Sequence, residues 1–371
     1  MIICWPFLVL CTIPAAPIDW YEYTFMEAPV CNTVCPLFII TDISYTIAGC
    51  SRNMSFILLF LGFGLLIAGA NYFVEGASKI AGFLQISPLL IGLTIVAFGT
   101  SSPEATVSIL AALKGNADVA IGNVVGSNIF NITLVVGVTA IIFPLKVENE
   151  TLRKEIPFTL LASAALLILI SDRFLESVST NIVTRSDGLI LLLIFSVFLY
   201  YLFEVARKNR NDTQIQKTQV SSGIWAKHII YTVLGLGAII FGGDLVVDHA
   251  TEIALSFGMS ETLVGLTIVA VGTSLPELVT SITAAIKRES EIALGNIVGS
   301  NIFNILFVLG AAAAISPLGV DSKIFIDLAI MILITFLLLI FSRTYYKIGK
   351  YEGLILALVY VGYLIYIIIR N

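Results

Sequence analysis

From residue 54 onward, apolar positions come in long unbroken runs, not at the alternating spacing of a half-buried strand. Ten runs stand out, at 55–74, 87–112, 118–143, 156–171, 187–206, 228–248, 259–285, 292–316, 323–341 and 352–369. Most approach or exceed the roughly 20 residues that a helix needs to cross a bilayer core of about 30 Å. The short alternating segments of a membrane barrel are not the pattern here. The expectation is an all-α polytopic membrane protein with ten transmembrane helices. Two runs, 87–112 and 259–285, carry a Gly-Thr-Ser stretch and a Pro in mid-span. Proline lacks a backbone donor, so both helices are expected to break there. Broken backbone at membrane depth has to be buried in protein or line a wet cavity.

Those two runs are copies of each other. Residues 92–104 (GLTIVAFGTSSPE) and 265–277 (GLTIVAVGTSLPE) agree at 11 of 13 positions. Residues 120–131 (AIGNVVGSNIFN) and 293–304 (ALGNIVGSNIFN) agree at 10 of 12. Both pairs are offset by 173, as are Gly62 and Gly235, Ala81 and Ala254, and Pro144 and Pro317. The later segments Asp187-Gly-Leu-Ile-Leu and Glu352-Gly-Leu-Ile-Leu match at an offset of 165, so the second copy is eight residues shorter. Each copy holds five spans, and an odd number reverses its direction across the membrane. The implied architecture is two inverted five-helix repeats, a ground plan of secondary transporters. The expected divisions are an extension at 1–53, a first repeat at 54–206, a linker at 207–227 and a second repeat at 228–371.

Composition fits this class: 58% hydrophobic and 12% charged residues, with a mean hydropathy of +1.00, against about 25% charged in soluble domains. Counted on alternate loops, Lys and Arg divide fourteen to six. The richer side, with Lys79, Lys287, Arg288 and the 207–227 linker, is expected in the cytoplasm. Both ends of the ten-span core then face outward. No basic patch suggests nucleic-acid binding. All five cysteines precede residue 54; that stretch reads as peripheral, with Met54 as an alternative start.

Glu104 and Glu277 fall near the middle of the two duplicated spans. A carboxylate there costs about 2.5–3.5 kcal/mol on insertion scales, so it is expected to face the protein interior and to be functional. The alternative is a protonated Glu that only packs helices; recurrence of the same Glu in the same polar setting argues against it. Thr100, Ser101 and Ser102 precede Glu104, and Thr273 and Ser274 precede Glu277. Unwinding would also release carbonyls, those of Ala97 and Ala270 among them. In the second phrase Ser127 and Asn131 are four apart on one helix face, as are Ser300 and Asn304. Asn123, Asn128, Asn296 and Asn301 read as structural at least as well as ligating. Gly122 with Gly126, and Gly295 with Gly299, have the spacing of close helix packing. Hydroxyls, carbonyls and carboxylates suit a hard cation. Two carboxylates match one divalent charge, and the flexible oxygen coordination of Ca²⁺ suits a desolvated site better than Mg²⁺ does. Na⁺ or protons can neutralise the same pair, which is the physical basis of exchange.

The duplicated Gly-Thr-Ser-x-Pro-Glu and Gly-Ser-Asn-x-x-Asn motifs resemble the α-repeats of the sodium/calcium exchanger branch of the calcium/cation antiporter superfamily, over roughly residues 55–370. The resemblance implies exchange of cytosolic Ca²⁺ for external Na⁺. It implies that Glu104 and Glu277 bind Ca²⁺ with the carbonyls of Thr100 and Thr273. Thr100, Ser101, Ser127, Thr273, Ser274, Ser300 and the carbonyls of Ala97 and Ala270 would serve flanking Na⁺ positions, with Asn131 and Asn304 lining the centre. Several exchangers of that family carry Asp at the position of Asn304; here both copies have Asn. No cofactor is called for, and a monomer is expected to suffice. The rival functions are a Ca²⁺/H⁺ antiporter of the same fold and, from another class, a cation channel. An intramembrane enzyme lacks the inventory, since Ser without a base is a weak nucleophile.

Overall fold

In a computed structural model, the described residues are 37–175, 179–212, 222–258 and 270–370. Contacts divide the chain into two units, Met1–Ala48 and Gly49–Asn371, and the second holds all of the duplicated phrases. Helices occupy the places where apolar runs fall. They are α1 (Leu37–Leu84), the broken pair α2 (Pro88–Thr100) and α3 (Ser102–Leu113), α4 (Ala117–Ile142) and α5 (Ile156–Leu169). After α6 (Arg185–Asp212) come α7 (Ser222–Ser256), α8 (Ala270–Gly272) and α9 (Leu275–Ile286). The chain closes with α10 (Ser290–Ile315), α11 (Ser322–Arg343) and α12 (Lys350–Arg370). Among the described residues, seven helices are long and apolar enough to cross a membrane, and the bent pair α2–α3 makes an eighth. The protein is a mostly helical, multi-pass membrane protein. Helix α6 runs to Asp212 and α7 begins at Ser222, so both helices reach into the 207–227 stretch. The first half of the 259–285 run lies outside the described residues.

The breaks fall where the duplicated phrase places them. Between α2 and α3 the axis bends by 49° at Ser101. Pro103 and Pro276 sit in the first turn of α3 and α9, where a missing N–H costs nothing. Ser101 (φ −82°, ψ 8°) and Ser274 (φ −94°, ψ 8°) adopt the same bend conformation. A second irregularity is not visible in the sequence. A π turn starts at Asn131 in α4 and another at Asn304 in α10, and π turns inside helices gather at functional sites.

The copies hold each other through reciprocal contacts. Near α1 and α7, Gly62 backs onto Gly242 and Gly69 onto Gly235; Gly62 and Gly235 are equivalent, as are Gly69 and Gly242. Further along, Gly137 meets Gly353 while Gly188 meets Gly310. Two short ties repeat the pattern. Strand β1 (Leu145–Lys146) pairs antiparallel with β4 (Lys347–Ile348), and β2 (Ile182–Val183) with β3 (Leu318–Gly319). When i touches j′ and j touches i′, the copies are exchanged by a two-fold relation. Of the expected glycine seams, Gly295 and Gly299 pack on Leu89, Gly92 and Leu93. The segment that corresponds to those residues, 262–266, is outside the described set.

Backbone-to-backbone approach makes these glycines intolerant. A Cβ at Gly235 would lie 2.6 Å from Phe73 N, whereas one at Gly237 meets nothing within 4 Å. Gly235→Ala is therefore expected to destabilise the solubilised protein by about 1–3 kcal/mol, while Gly237→Ala is neutral or better. Thermal melts of the two variants beside the parent check this.

Candidate cation site

The two broken helices meet α4 and α10 at a buried polar centre. Glu104 and Glu277 are both fully buried, each in the first turn of the helix after its break. Each carboxylate is held by a serine from the other copy. Ser274 Oγ donates to Glu104 Oε1 at 2.9 Å, and Ser101 Oγ donates to Glu277 Oε1 at 2.8 Å. Ser127 joins this network, its hydroxyl 3.1 Å from Ser274 Oγ. The halves of the duplicated phrase thus complete each other's sites, which spacing alone does not reveal.

Asparagines set the rest of the geometry. Asn123 Nδ2 reaches the Glu104 carbonyl at 3.2 Å and Ser108 Oγ at 2.9 Å; Asn296 Nδ2 reaches the Glu277 carbonyl at 3.5 Å and Ser281 Oγ at 3.0 Å. These amides tie α4 to α3 and α10 to α9. Asn128 Nδ2 donates to the backbone carbonyl of Asn301 at 3.2 Å. Only a donor suits that partner, so Asn128 must turn its Oδ1 the other way, where it accepts from Asn304 Nδ2 at 3.3 Å. The Asn304 Oδ1 therefore points away from this contact. In the other copy Asn131 Nδ2 donates to Asn301 Oδ1 at 3.2 Å. Asn128 and Asn301 act as orienting residues, and Asn131 and Asn304 as the ones with an oxygen to spare.

What remains is a set of oxygens with nothing to accept from. Glu104 Oε2, Glu277 Oε2, Asn131 Oδ1 and Asn304 Oδ1 are all buried without a hydrogen-bond partner, and Ser300 Oγ joins them. An unsatisfied buried polar atom costs about 1–3 kcal/mol, and here several occur among residues of one centre. Such oxygens are the donor type that hard cations take. Thr280, one helical turn after Glu277, also has a buried hydroxyl without a partner; its equivalent is Val107, so repeat logic could not flag it.

At the breaks, two of the expected groups already have hydrogen-bond partners. The Ala97 carbonyl is not released by the break, since Ser101 N–H still donates to it at 3.0 Å. The Thr100 hydroxyl is engaged too, donating to Asn296 Oδ1 at 3.0 Å and, at 3.5 Å, to Ala97 O. In the second copy Ser274 N–H donates to Val271 O at 3.2 Å, one residue short of the helical partner Ala270. Thr273 is half-buried, unlike the buried Thr100. It lines a cavity of about 470 Å³ with Ser102, Thr106, Pro276, Asp244 and Asp248.

Comparison with known proteins agrees with this architecture. The family profile described as sodium/calcium exchanger protein matches residues 54–204 and 227–369. A putative antiporter, CaxA, of Alkalimonas amylolytica is 41% identical over 83% of this chain and 96% of its own length. The sodium/calcium exchanger MaX1 of Methanosarcina acetivorans is 34% identical over 84% of this chain and 98% of its own. Among solved structures, the sodium-calcium exchanger NCX_Mj superposes with a TM-score of 0.72 at 32% identity, covering 84% of this chain and 97% of that one.

The pinned amide gives a direct test. Asn128→Leu removes the donor to Asn301 and the acceptor for Asn304, so it is expected to lower stability by about 1–3 kcal/mol. Asn123→Leu, on a less buried amide, is expected to cost less. Denaturant or thermal unfolding in one detergent ranks the pair.

Proposed function

The chain belongs to the sodium/calcium exchanger family of membrane ion exchangers, and from that premise we propose that it is a secondary antiporter carrying Ca²⁺ against Na⁺ by alternating access. The observation that supports this most is the group of buried, unpartnered oxygens on Glu104, Glu277, Asn131 and Asn304. Ca²⁺ takes six to eight oxygens in flexible geometry. The two carboxylates supply a charge of about −2 when ionised, and the carbonyls of Thr100 and Thr273 complete the set. Na⁺ ions occupy flanking positions served by Ser101, Ser127, Ser274, Ser300 and the carbonyls of Ala97 and Ala270. The protein uses no cofactor; the ions are its cargo.

Exchange follows from cost. Two carboxylates in the membrane interior are expensive when neither cation nor proton balances them. Crossing between the two access states is therefore favoured for the loaded carrier, and a Ca²⁺ delivered one way requires a counter-ion on the return. With ten spans in two inverted repeats, the Lys and Arg distribution supports a cytoplasmic 207–227 linker and both ends of the core outside. With Asn at both 131 and 304, the charge that must be balanced is smaller than in a site with a third acid. The carrier works as a monomer, since both halves of the site come from one chain.

In proteoliposomes, an outward Na⁺ gradient is expected to drive Ca²⁺ uptake, and an outward proton gradient to leave it near background. Uptake driven by protons alone would assign H⁺ as the counter-ion instead. Glu104→Gln and Glu277→Gln are each expected to abolish uptake while still folding; undiminished transport in either would remove the central site. Ca²⁺ at a hundredfold its dissociation constant should also stabilise the parent by about 2.7 kcal/mol, a shift the Gln variants lose.

A further inference from the structure

The two ends of the site differ, although duplicated sequence builds them. In the turn between α9 and α10, Lys287 Nζ donates to the Asn71 carbonyl at 2.5 Å and lies 4.0 Å from Glu75 Oε2. Two residues on, Glu289 Oε1 accepts from Ser78 Oγ at 2.7 Å. Together these contacts fasten that turn to α1. The offset of 173 carries Asn71, Glu75 and Ser78 to Asp244, Asp248 and Thr251 on α7. It carries Lys287 and Glu289 back to Lys114 and Asn116, in the turn between α3 and α4.

The turn is the same shape in both copies. Arg288 has φ +64° and its equivalent Gly115 has φ +75°. The contacts are not the same. Lys114 is exposed, and among the described residues its ammonium has no partner. Asp244 and Asp248 line the open cavity beside Thr273. The Thr251 hydroxyl is buried with no hydrogen-bond partner, the cost that Ser78 avoids at the other end. One end is fastened, and the other holds the same kinds of group apart: a Lys, an acid and a hydroxyl.

We propose that these are two alternative latches. Lys287 with Asn71 and Glu75 closes one face, Lys114 with Asp244 and Asp248 closes the other, and the closing of either requires the other to be open. The proposal rests on the transport reading, because it supplies the two access states which that reading needs. Exposed ion pairs are weak, and weakness suits the role. States that interconvert must lie close in free energy, and a strong latch would trap one of them.

The test uses the full-length chain with its five native cysteines, all before residue 54, replaced by serine. Two double variants, Ser78→Cys/Glu289→Cys and Asn116→Cys/Thr251→Cys, are reconstituted in proteoliposomes and treated with a short, reducible bifunctional thiol reagent. Both pairs are expected to bridge, each bridge should stop Ca²⁺ exchange, and reduction should restore it. Adding Lys287→Ala is expected to speed bridging of the 116/251 pair about threefold, the scale of one exposed ion pair; Lys114→Ala should slow it. The latches are refuted if only the 78/289 pair bridges, if a bridged protein still exchanges, or if both bridges form at once in a molecule carrying all four cysteines. Should the unbridged variants and the parent all fail to move Ca²⁺, the transport reading falls, while the bridging pattern still decides whether the latches alternate.

Discussion

Placing two carboxylates in the middle of a membrane protein is the constraint on which the rest of this structure depends. Among the described residues no basic side chain neutralises Glu104 or Glu277; each has one serine from the opposite repeat. One oxygen of each is satisfied and the other is left open. That half-satisfaction is unstable by itself, and it is what makes a cation or proton welcome.

Holding such oxygens apart requires a rigid frame, and the frame is made of contacts with little freedom. Glycine against glycine brings backbones within touching distance at Gly62 and Gly242, Gly69 and Gly235, Gly137 and Gly353. Asparagines then fix rotations. Because Asn128 must donate to a backbone carbonyl, its other end can only accept, and this decides which way Asn304 faces. The constraint passes from main chain to side chain to the open oxygen. Backbone irregularity is placed where it helps: the bends at Ser101 and Ser274, and the π turns starting at Asn131 and Asn304.

Much of this is legible in the sequence, because duplication marks the residues that matter twice. The apolar runs lead to the helices, and the Gly-Thr-Ser-x-Pro-Glu phrase leads to the breaks and to both glutamates. The amides are harder. Sequence places Asn128 and Asn131 three apart on one helix, but only the crossing partner shows that the first orients and the second offers. The Ala97 carbonyl departs from expectation because Pro103 removes the donor to Gly99, not to Ala97, and Ser101 keeps its N–H in line. Ser108 and Ser281 carry a signal of the same kind: they too are offset by 173, and each receives an amide.

Duplication also limits what a sequence can say. It writes a Lys, an acid and a hydroxyl at both ends of the site, with Asn71 matched by Asp244 and Glu289 by Asn116, whereas one conformer need satisfy only one end. The Thr251 hydroxyl is buried without a partner, while its equivalent Ser78 donates to Glu289, whose own equivalent is Asn116; equivalent hydroxyls thus meet two outcomes. Both copies keep the shape of the turn and its Lys, and the contacts made there differ. In a carrier that asymmetry is informative, because a two-fold protein that opens to one side at a time must break its own symmetry. The unmatched contacts mark where it does so.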